Sequence, residues 1–448
     1  CHVESELSPD GNAWNEAAST QACGSCHSDG LVADNWDEVT GVAEYGFDHS
    51  NSDFPGAGLV SDNSICAGCH LGAVEGAGSA ESIHTRIAGD QQFREILGND
   101  FVFEILEATN VGPGETPVIT FRVLDAEGNP YDIQTAPEFT SGPTSMNLYV
   151  AWPGIETYNG DELGNTGGFR ERGNGPEYYG PGHPNRWYLS SIQQAIVDQG
   201  VTQAADGSYT LEYFLALPAD FQGDAYIAMG GHPAAIGVED ADGNITDQRA
   251  APDSIVFYPE GTTAREFGAD PAKCNACHEH LQFHGSNRNA NPEMCVVCHN
   301  ADLVEGDEGF ALGYMIHAIH VASPTFLEGE YADITYPQSI ANCDACHVDG
   351  AYNAARPEAR SVSLGIGADE TVWTDDPAVT PTSGACGTCH ASAAALGHFA
   401  TNNGEIGVPK DSILKFNGLP NGQEACGVCH GPGASFDTTL YHNPGIAE

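Results

Sequence analysis

The chain has 448 residues, 41% of them apolar, which is enough for two or three domains with a buried core and excludes collagen-like, coiled-coil and disordered classes. Its 63 Asp and Glu stand against 14 Lys and Arg, a formal net charge of −49, so the surface repels nucleic acid and anionic lipid headgroups and suits salty water that screens self-repulsion. No run of about 18 apolar residues occurs, so no segment reads as a membrane span or a retained signal peptide.

Cys1 is the residue that signal cleavage of a bacterial lipoprotein leaves behind, which makes acylation and a lipid anchor one reading. A free thiol or an arbitrary chain start are the others. Residues 1–97 carry two CxxCH motifs, Cys23/Cys26/His27 and Cys66/Cys69/His70, among Gly, Ala, Ser and Asp. Few stretches alternate, so loops and short helices wrapped around cofactors are expected there.

Residues 98–262 contain no cysteine. Strand signals replace it, in β-branched or alternating runs at 118–124, 209–217, 225–229 and 254–258. Turn chemistry at Asp125 to Pro130 and Asp240 to Asn244 separates them, with Gly and Asn supplying positive φ. A β-sandwich or Greek-key barrel follows. Asp240, Asp242 and Asn244 could open a calcium loop, but the Glu required at its twelfth position is missing, and a plain turn is the better reading.

Residues 263–448 hold five more CxxCH motifs: Cys274/Cys277/His278, Cys295/Cys298/His299, Cys343/Cys346/His347, Cys386/Cys389/His390 and Cys426/Cys429/His430. Short helical pieces such as 308–321 lie between them. Apolar side chains are too sparse here for a conventional core, so the faces of bound cofactors must supply the missing burial.

Fourteen of the fifteen cysteines thus fall in CxxC pairs, each followed at once by histidine. Two thiols three residues apart reach two vinyl groups on one porphyrin edge, and the adjacent imidazole reaches the iron, which makes CxxCH a c-type haem attachment signal. Zinc and thioredoxin-like chemistry explain the CxxC pair but not a histidine repeated seven times, and zinc needs such pairs in even number. The expectation is seven covalently attached haem c groups.

The second axial ligand separates an electron carrier from an enzyme, because an open coordination position can bind substrate. Eighteen histidines less the seven of the motifs leave eleven: His2, His49, His84, His183, His232, His280, His284, His317, His320, His398 and His442. Every haem can therefore be bis-histidine. Met146, Met229, Met294 and Met315 read as packing residues. His317 and His320, three apart on a helix, present two imidazoles on nearly one face and can serve two neighbouring haems.

Five phrases resemble the outer-surface decahaem cytochromes of the OmcA/MtrC type. They are Asp270-Pro271-Ala272-Lys273, Leu281-Gln282-Phe283-His284-Gly285, Met315-Ile316-His317-Ala318-Ile319-His320, Tyr336-Pro337-Gln338, and the segment from Cys426 to Pro432. The resemblance covers about residues 250–448. It implies a pentahaem module with distal histidines at His284, His317, His320, His398 and His442, preceded by a β-barrel-like domain of Greek-key type. The chain departs from that family in having one such unit after a two-motif segment. His49 and His84 lie nearest those two motifs and are the candidates for their distal ligands, while His2, His183, His232 and His280 are left as surface or loop histidines or as a ligand to a haem of a neighbouring subunit.

The sequence therefore predicts a multihaem cytochrome c: an N-terminal dihaem segment (1–97), an inserted all-β, sandwich-like domain (98–262) and a pentahaem domain (263–448). Its expected role is extracellular electron transfer at the cell outer surface, to minerals, soluble shuttles, partner cytochromes or copies of itself, with no catalytic residue. Haems at both ends also suit a head-to-tail filament. The alternative is a multihaem reductase acting on a small oxyanion or sulfur compound through one open iron, and a structural or adhesive module is disfavoured because haem attachment is costly.

Overall fold

The computed structural model describes three strands between residues 31 and 60, and then residues 91–152, 169–172, 175–178, 185–219, 224–239, 244–264, 268–278, 280–332, 334, 336, 339–348, 351–352, 361–369, 375–415 and 424–442. The chain divides into two compact units, Cys1–Phe93 with Asp333–Ser339, and Arg94–Ala332 with Ile340–Glu448.

In the first unit, β1 (Leu31–Asp37), β2 (Val42–Asp48) and β3 (Leu59–Val60) form an antiparallel sheet in that order. This corrects the expectation of loops and short helices alone. A register shift between Ala33 and Asn35 inserts a residue into β1, which breaks the period of two that would have marked the strand.

In the second unit the strands are β4 (Val102–Thr109), β5 (Val118–Leu124), β6 (Ser145–Ala151), β7 (Phe169–Arg172), β8 (Gly175–Tyr178), β9 (Asn185–Tyr188), β10 (Tyr209–Glu212), β11 (Tyr226–His232), β12 (Ala234–Glu239), β13 (Ile245–Arg249) and β14 (Ile255–Phe257). They make a three-stranded sheet, β10-β5-β4, a six-stranded sheet, β14-β11-β6-β9-β7-β8, and the hairpin β12-β13. Strand β5 alternates so that Ile119, Phe121 and Val123 are buried, and they share one core with Leu148 and Val150 of β6 and Ile227 and Met229 of β11. Two sheets packed over a common apolar layer make the sandwich-like arrangement.

The domain is not all-β. The helix Leu189–Asp198 packs Leu189, Ile192 and Ile196 into the same core, and β7 runs parallel to β9. The expected strand at 209–217 ends at Glu212, after which Tyr213 stacks edge-on against Trp187 at 5.3 Å. The turn from Asp125 to Asn129 forms as expected, closed by Asp125 N–H donating to Asn129 O at 2.8 Å, with Gly128 at φ 86°. Of the second turn, residues 240–243 lie outside the described residues.

Strands β6 and β11 are buried on both faces, so neither shows a strict apolar-polar alternation. Their far face, Tyr149, Ala151 and Ala228, packs on Met294 and Val297 of the segment that follows. Beyond β14 the chain forms short helices, Pro271–His278, Pro292–Cys295, Leu312–His320, Pro381–Gly387, Ala393–Thr401, Lys410–Lys415 and Cys426–His430, around a small sheet of Val362–Ser363, Pro377–Val379 and Ile406–Pro409. The helix expected at 308–321 starts only at Leu312, because Glu308–Gly309 pairs with Val304–Glu305 instead. Gly309 lies so close to the neighbouring chain that a Cβ would sit 2.0 Å from the Ser363 carbonyl oxygen. Among the described residues no helix is long and apolar enough to cross a membrane.

Candidate haem sites

In three of the CxxCH motifs the closing of a helical turn is explicit. The His299, His347 and His390 amides donate to the carbonyls of Cys295, Cys343 and Cys386 at 2.8 to 2.9 Å, which brings the first thiol and the imidazole to one side of the turn. Nine motif cysteines are described, and none of them is in a disulfide. Burial pushes the thiols of Cys295 and Cys386 up to about 12 and those of Cys343 and Cys426 up to about 11. Such thiols stay protonated at neutral pH and are the opposite of activated redox cysteines.

In two motifs the two cysteines are not equally covered. Cys429 is exposed while Cys426 is half-buried, and Cys389 is exposed while Cys386 is half-buried. The reason at Cys429 is its place on the helix Cys426–His430, whose residues Gly427, Val428 and Cys429 all face solvent, with Val428 79% exposed. The Cys429 backbone is nevertheless fixed, because its carbonyl accepts from the Phe436 amide at 3.0 Å. The same return of the chain brings the Phe436 carbonyl to His430 Nδ1 at 3.0 Å, so the second thiol and the imidazole of this motif are held by one short segment. Cys429 thus marks an open edge of the candidate sites described.

The structure gathers imidazoles in pairs, each joining one motif histidine to one histidine from elsewhere. Ring centroids lie 6.0 Å apart for His278 and His320, 6.0 Å for His299 and His284, 6.1 Å for His347 and His317, 5.9 Å for His390 and His442, and 6.1 Å for His430 and His398. A metal–imidazole bond is about 2 Å and a ring nitrogen lies roughly 1.1 Å from its ring centre, so two imidazoles on opposite sides of one metal ion have centres roughly 6 Å apart. The gap fits one iron held from both sides. Among the described residues no group of three or more His, Cys, Asp and Glu gathers as a cage, so the pairs, and not four-ligand sites, recur.

The hydrogen bonds orient these rings. The Nδ1 atoms of His299, His347 and His430 meet the carbonyls of Phe310, Gly268 and Phe436 at 2.9 to 3.0 Å. Those of His320 and His442 meet the carbonyls four residues back, Ile316 and Thr438, at 2.8 and 3.1 Å. A ring whose Nδ1–H is donated to a carbonyl turns its Nε2 lone pair outward, the form that a metal takes. Burial pushes His317 down to about 4, with His347 adding to it, and pushes His284 down to about 4, with Arg288 adding to it. Both rings are neutral at pH 7, as ligation requires.

His284 sits at φ 54°, followed by Gly285 at 69° and Ser286 at 68°, in the turn of a hairpin pairing Gln282–Phe283 with Arg288–Asn289. A side-chain-bearing residue in the left-handed region needs support. Asn289 supplies it from a buried position, donating through Nδ2 to the carbonyls of Ser286, Pro252 and Gly231. Asn287 Nδ2 donates to His284 O at 2.9 Å, and Arg94 and Arg249 donate to Ser286 Oγ and Gly285 O. Gly231, whose carbonyl accepts one of these bonds, lies so close to the neighbouring strand that a Cβ would meet Ser145 O at 2.3 Å. The β region thus holds the loop that presents His284.

Four of the five motifs are bonded to one another. Lys273 Nζ donates to the carbonyls of Asp344 and His347 at 2.8 and 2.6 Å, and the Asp270 amide donates to Cys346 O, so the motifs at Cys274 and Cys343 are joined. The helix Leu312–His320 joins them again, because His320 pairs with His278 and His317 with His347. Cys343 N–H donates to His442 O, which ties that motif to the His390 pair. Glu424 accepts from the Thr382 and Ser383 amides and from the Thr380 and Ser383 hydroxyls at 2.6 to 2.8 Å, so it caps the helix of Cys386 two residues ahead of Cys426. The fully buried Lys410 is paired with Asp302, beside the His299 motif. Sequence reading did not single out Lys273, Glu424, Asn289 or Lys410. Lys273 lies inside one of the quoted phrases, and its charge in so cation-poor a chain was the available signal.

Two histidines left as surface or loop residues are buried. His232 binds Pro143 O through Nδ1 at 2.7 Å and is pushed down to about 4 by burial. His280 lies 3.6 Å from Glu95 and 4.0 Å from Asp253, with Nε2 buried and unbonded. Desolvation under the sandwich, not exposure, is their common condition. Met146, Met229 and Met294 are fully buried in apolar clusters. Cys1, Cys23, Cys26, His27, Cys66, Cys69, His70, His49, His84, His2 and His183 lie outside the described residues, as does the Cys277 side chain.

Residues 269–443 match the family model for outer membrane cytochromes of the MtrC/MtrF-like type, domains II/IV. Among solved structures the chain is similar to MtrC from Shewanella baltica OS185, with 17% identity and a TM-score of 0.51 over 96% of this chain and 63% of that one. It is also similar to the outer membrane decahaem cytochrome OmcA, with 20% identity and a TM-score of 0.49 over 99% of this chain and 59% of that one. The chain thus spans about three fifths of the length of these two structures. No curated protein matches it. The five CxxCH motifs, the paired imidazoles and this match to the MtrC/MtrF-like outer membrane cytochromes fall on the same stretch of chain, residues 269–443.

Proposed function

We propose that the chain is an electron-transfer protein of the cell outer surface, carrying seven covalently attached haem c groups and exchanging electrons with extracellular acceptors and other cytochromes. The observation that carries the reading is the recurrence of five imidazole pairs at 5.9 to 6.1 Å, each containing one CxxCH histidine. Haem iron supplies one-electron exchange between its ferric and ferrous states. The protein's part is to hold both axial positions, so that no small substrate reaches the metal, and to keep neighbouring sites close.

In this reading the distal ligands are His320, His284, His317, His442 and His398 for the motifs ending at His278, His299, His347, His390 and His430. His49 and His84 serve the two N-terminal motifs. The bonds between motifs favour the order Cys274, Cys343, Cys386, Cys426 along the module, and the Leu312 amide, which donates to His299 O at 2.9 Å, puts the Cys295 motif beside the helix of His320 and so next to Cys274. Cys274 is felt electrostatically at Cys295, Cys389 at Cys343 and Cys426 at Cys386, which supports the same succession. The exposed Cys429 then lies at the far end of the row, at an edge open to an external partner. A row in which each attachment segment touches the next suits through-transport better than turnover at one iron.

Intact mass tests the count and carbon monoxide tests the ligation. The expected result is seven haem increments, a wholly low-spin spectrum and no carbon monoxide complex in the reduced protein. His317→Ala should then create one carbon-monoxide-binding iron. Binding by the unmutated protein would favour the reductase reading.

A further inference from the structure

Only 14 of 448 residues are Lys or Arg, yet two guanidinium groups meet on one buried ring. Arg288 Cζ lies 4.9 Å and Arg186 Cζ 5.7 Å from the centre of Tyr149, and Arg186 also stacks on Tyr188 at 4.1 Å. Neutral groups hold Arg288 and are among the partners of Arg186. Arg186 Nε donates to Asn147 Oδ1 at 2.8 Å, Arg288 Nη1 donates to Asn287 O at 2.8 Å, and Asn147 Nδ2 donates to Asn287 Oδ1 at 3.2 Å. Among the described residues no carboxylate lies within ion-pair distance of Arg288.

Two like charges gathered at one ring repel, and cation–π attraction offsets only part of the cost. The ring itself points to a missing anion. Tyr149 is wholly buried, and its hydroxyl has no hydrogen-bond partner among the described residues. A buried donor without an acceptor is costly. An anion with carboxylate oxygens would satisfy Arg288 and the phenol.

The position says which anion. Tyr149 packs on Met294 and Val297, which flank Cys295 and precede Cys298. Arg288 pairs across the hairpin with Phe283, one residue before His284. Arg288 is also felt at His284, His299 and Cys295, whereas the shifts at His278 and His317 come from burial and other histidines alone. Among these rings, guanidinium charge is concentrated at the His284–His299 pair. A haem tethered there carries two propionates, which are carboxylates.

We propose that Arg288, with Arg186 beside it, is the counter-ion of the propionate-bearing edge of the haem at Cys295 and Cys298 and sets that haem's reduction potential; this rests on reading the His284–His299 pair as a haem site. Fixed positive charge near an iron disfavours its ferric form relative to its ferrous form. Arg288 therefore raises the potential, and acts as a positioning and tuning residue, not as an iron ligand.

The test is a spectroelectrochemical titration of the full-length holoprotein as Arg288→Gln and Arg288→Lys, with haem count by mass and the low-spin spectrum as controls. In Arg288→Gln one component should shift to lower potential, with its reduced-to-oxidised ratio at fixed potential falling on the order of tenfold, about 59 mV for one electron. Arg288→Lys should leave the titration where it was, because the charge is kept. Superimposable titrations for Arg288→Gln and the unmutated protein would overturn the proposal, and so would an equal shift in Arg288→Lys. Should Arg288→Gln not fold, Arg186→Gln read in the same way should move the same component in the same direction, and no movement there also overturns it. A protein lacking haem at Cys295 and Cys298 would instead count against the haem-site reading.

Discussion

The sandwich and the CxxCH module belong to one compact unit, yet they are held together differently. Residues 101–257 bury a continuous apolar core that includes Phe121, Leu148, Ile192, Tyr209 and Ile227. The module buries few large apolar side chains of its own, such as Leu303, Phe326 and Ile413, and relies on polar ties made by Lys273, Glu424 and Lys410. One half is stabilised by side-chain burial and the other by polar ties between the segments that carry the paired imidazoles. The difference teaches that the module's spacing is set by bonds between motifs, not by a core that would tolerate repacking.

Removing attachment should break the comparison most severely. With Cys343 and Cys346 both replaced by Ala, the module should lose protease resistance around residues 340–352, while fragments spanning the sandwich survive. Equal resistance in both regions would show that the module needs no cofactor to fold.

The converse experiment loads the sandwich. Phe121→Ala should cost about 3 to 5 kcal/mol through lost burial and a residual cavity. The loss should appear as a lower Tm of the β signal, with the haem count unchanged.

Lys410→Met leaves Asp302 buried without its cation, and should cost about 3 kcal/mol. Its visible consequence should be at the neighbouring His299 site, as a change in the haem spectrum, and not in the sandwich.

The smallest expected effect is a pH dependence. Burial raises Asp376 to about 6 from its ordinary 3.8, against the opposing pull of the Gly367 amide and Lys410. Between those two values the folded protein keeps a proton that the unfolded chain releases. Stability therefore falls as pH rises through that window, and the loss is complete above about 6. Asp376→Asn should flatten this slope and raise stability at pH 8 by on the order of 1 kcal/mol. Denaturant titrations at pH 4.5 and 8 measure it.

How much the sequence disclosed follows the same division. The CxxCH motifs are local in the chain, and so were legible at every site, although the unequal cover of Cys426 and Cys429 was not, since it depends on where the helix sits. The strand at Val118–Leu124 was legible because one face is buried and the other is not. Strand β1 was hidden by its bulge, and the helix Leu189–Asp198 escaped notice within a region read for period two. The pairing of His299 with His284, or of His390 with His442, is a tertiary fact with no fixed spacing. The resemblance supplied the five distal candidates but not their partners. Asn289 and Glu424 were not legible, since an amide or a carboxylate acquires its task only from the backbone groups brought to it.

The central claim is that iron lies between these imidazoles. Diffraction from the holoprotein at the iron absorption edge locates each iron directly. The account predicts five anomalous peaks in residues 269–443, one midway between the rings of each pair, His278–His320, His299–His284, His347–His317, His390–His442 and His430–His398. A peak bound on one side only, or an iron whose second ligand is a histidine from a different pair, would contradict it.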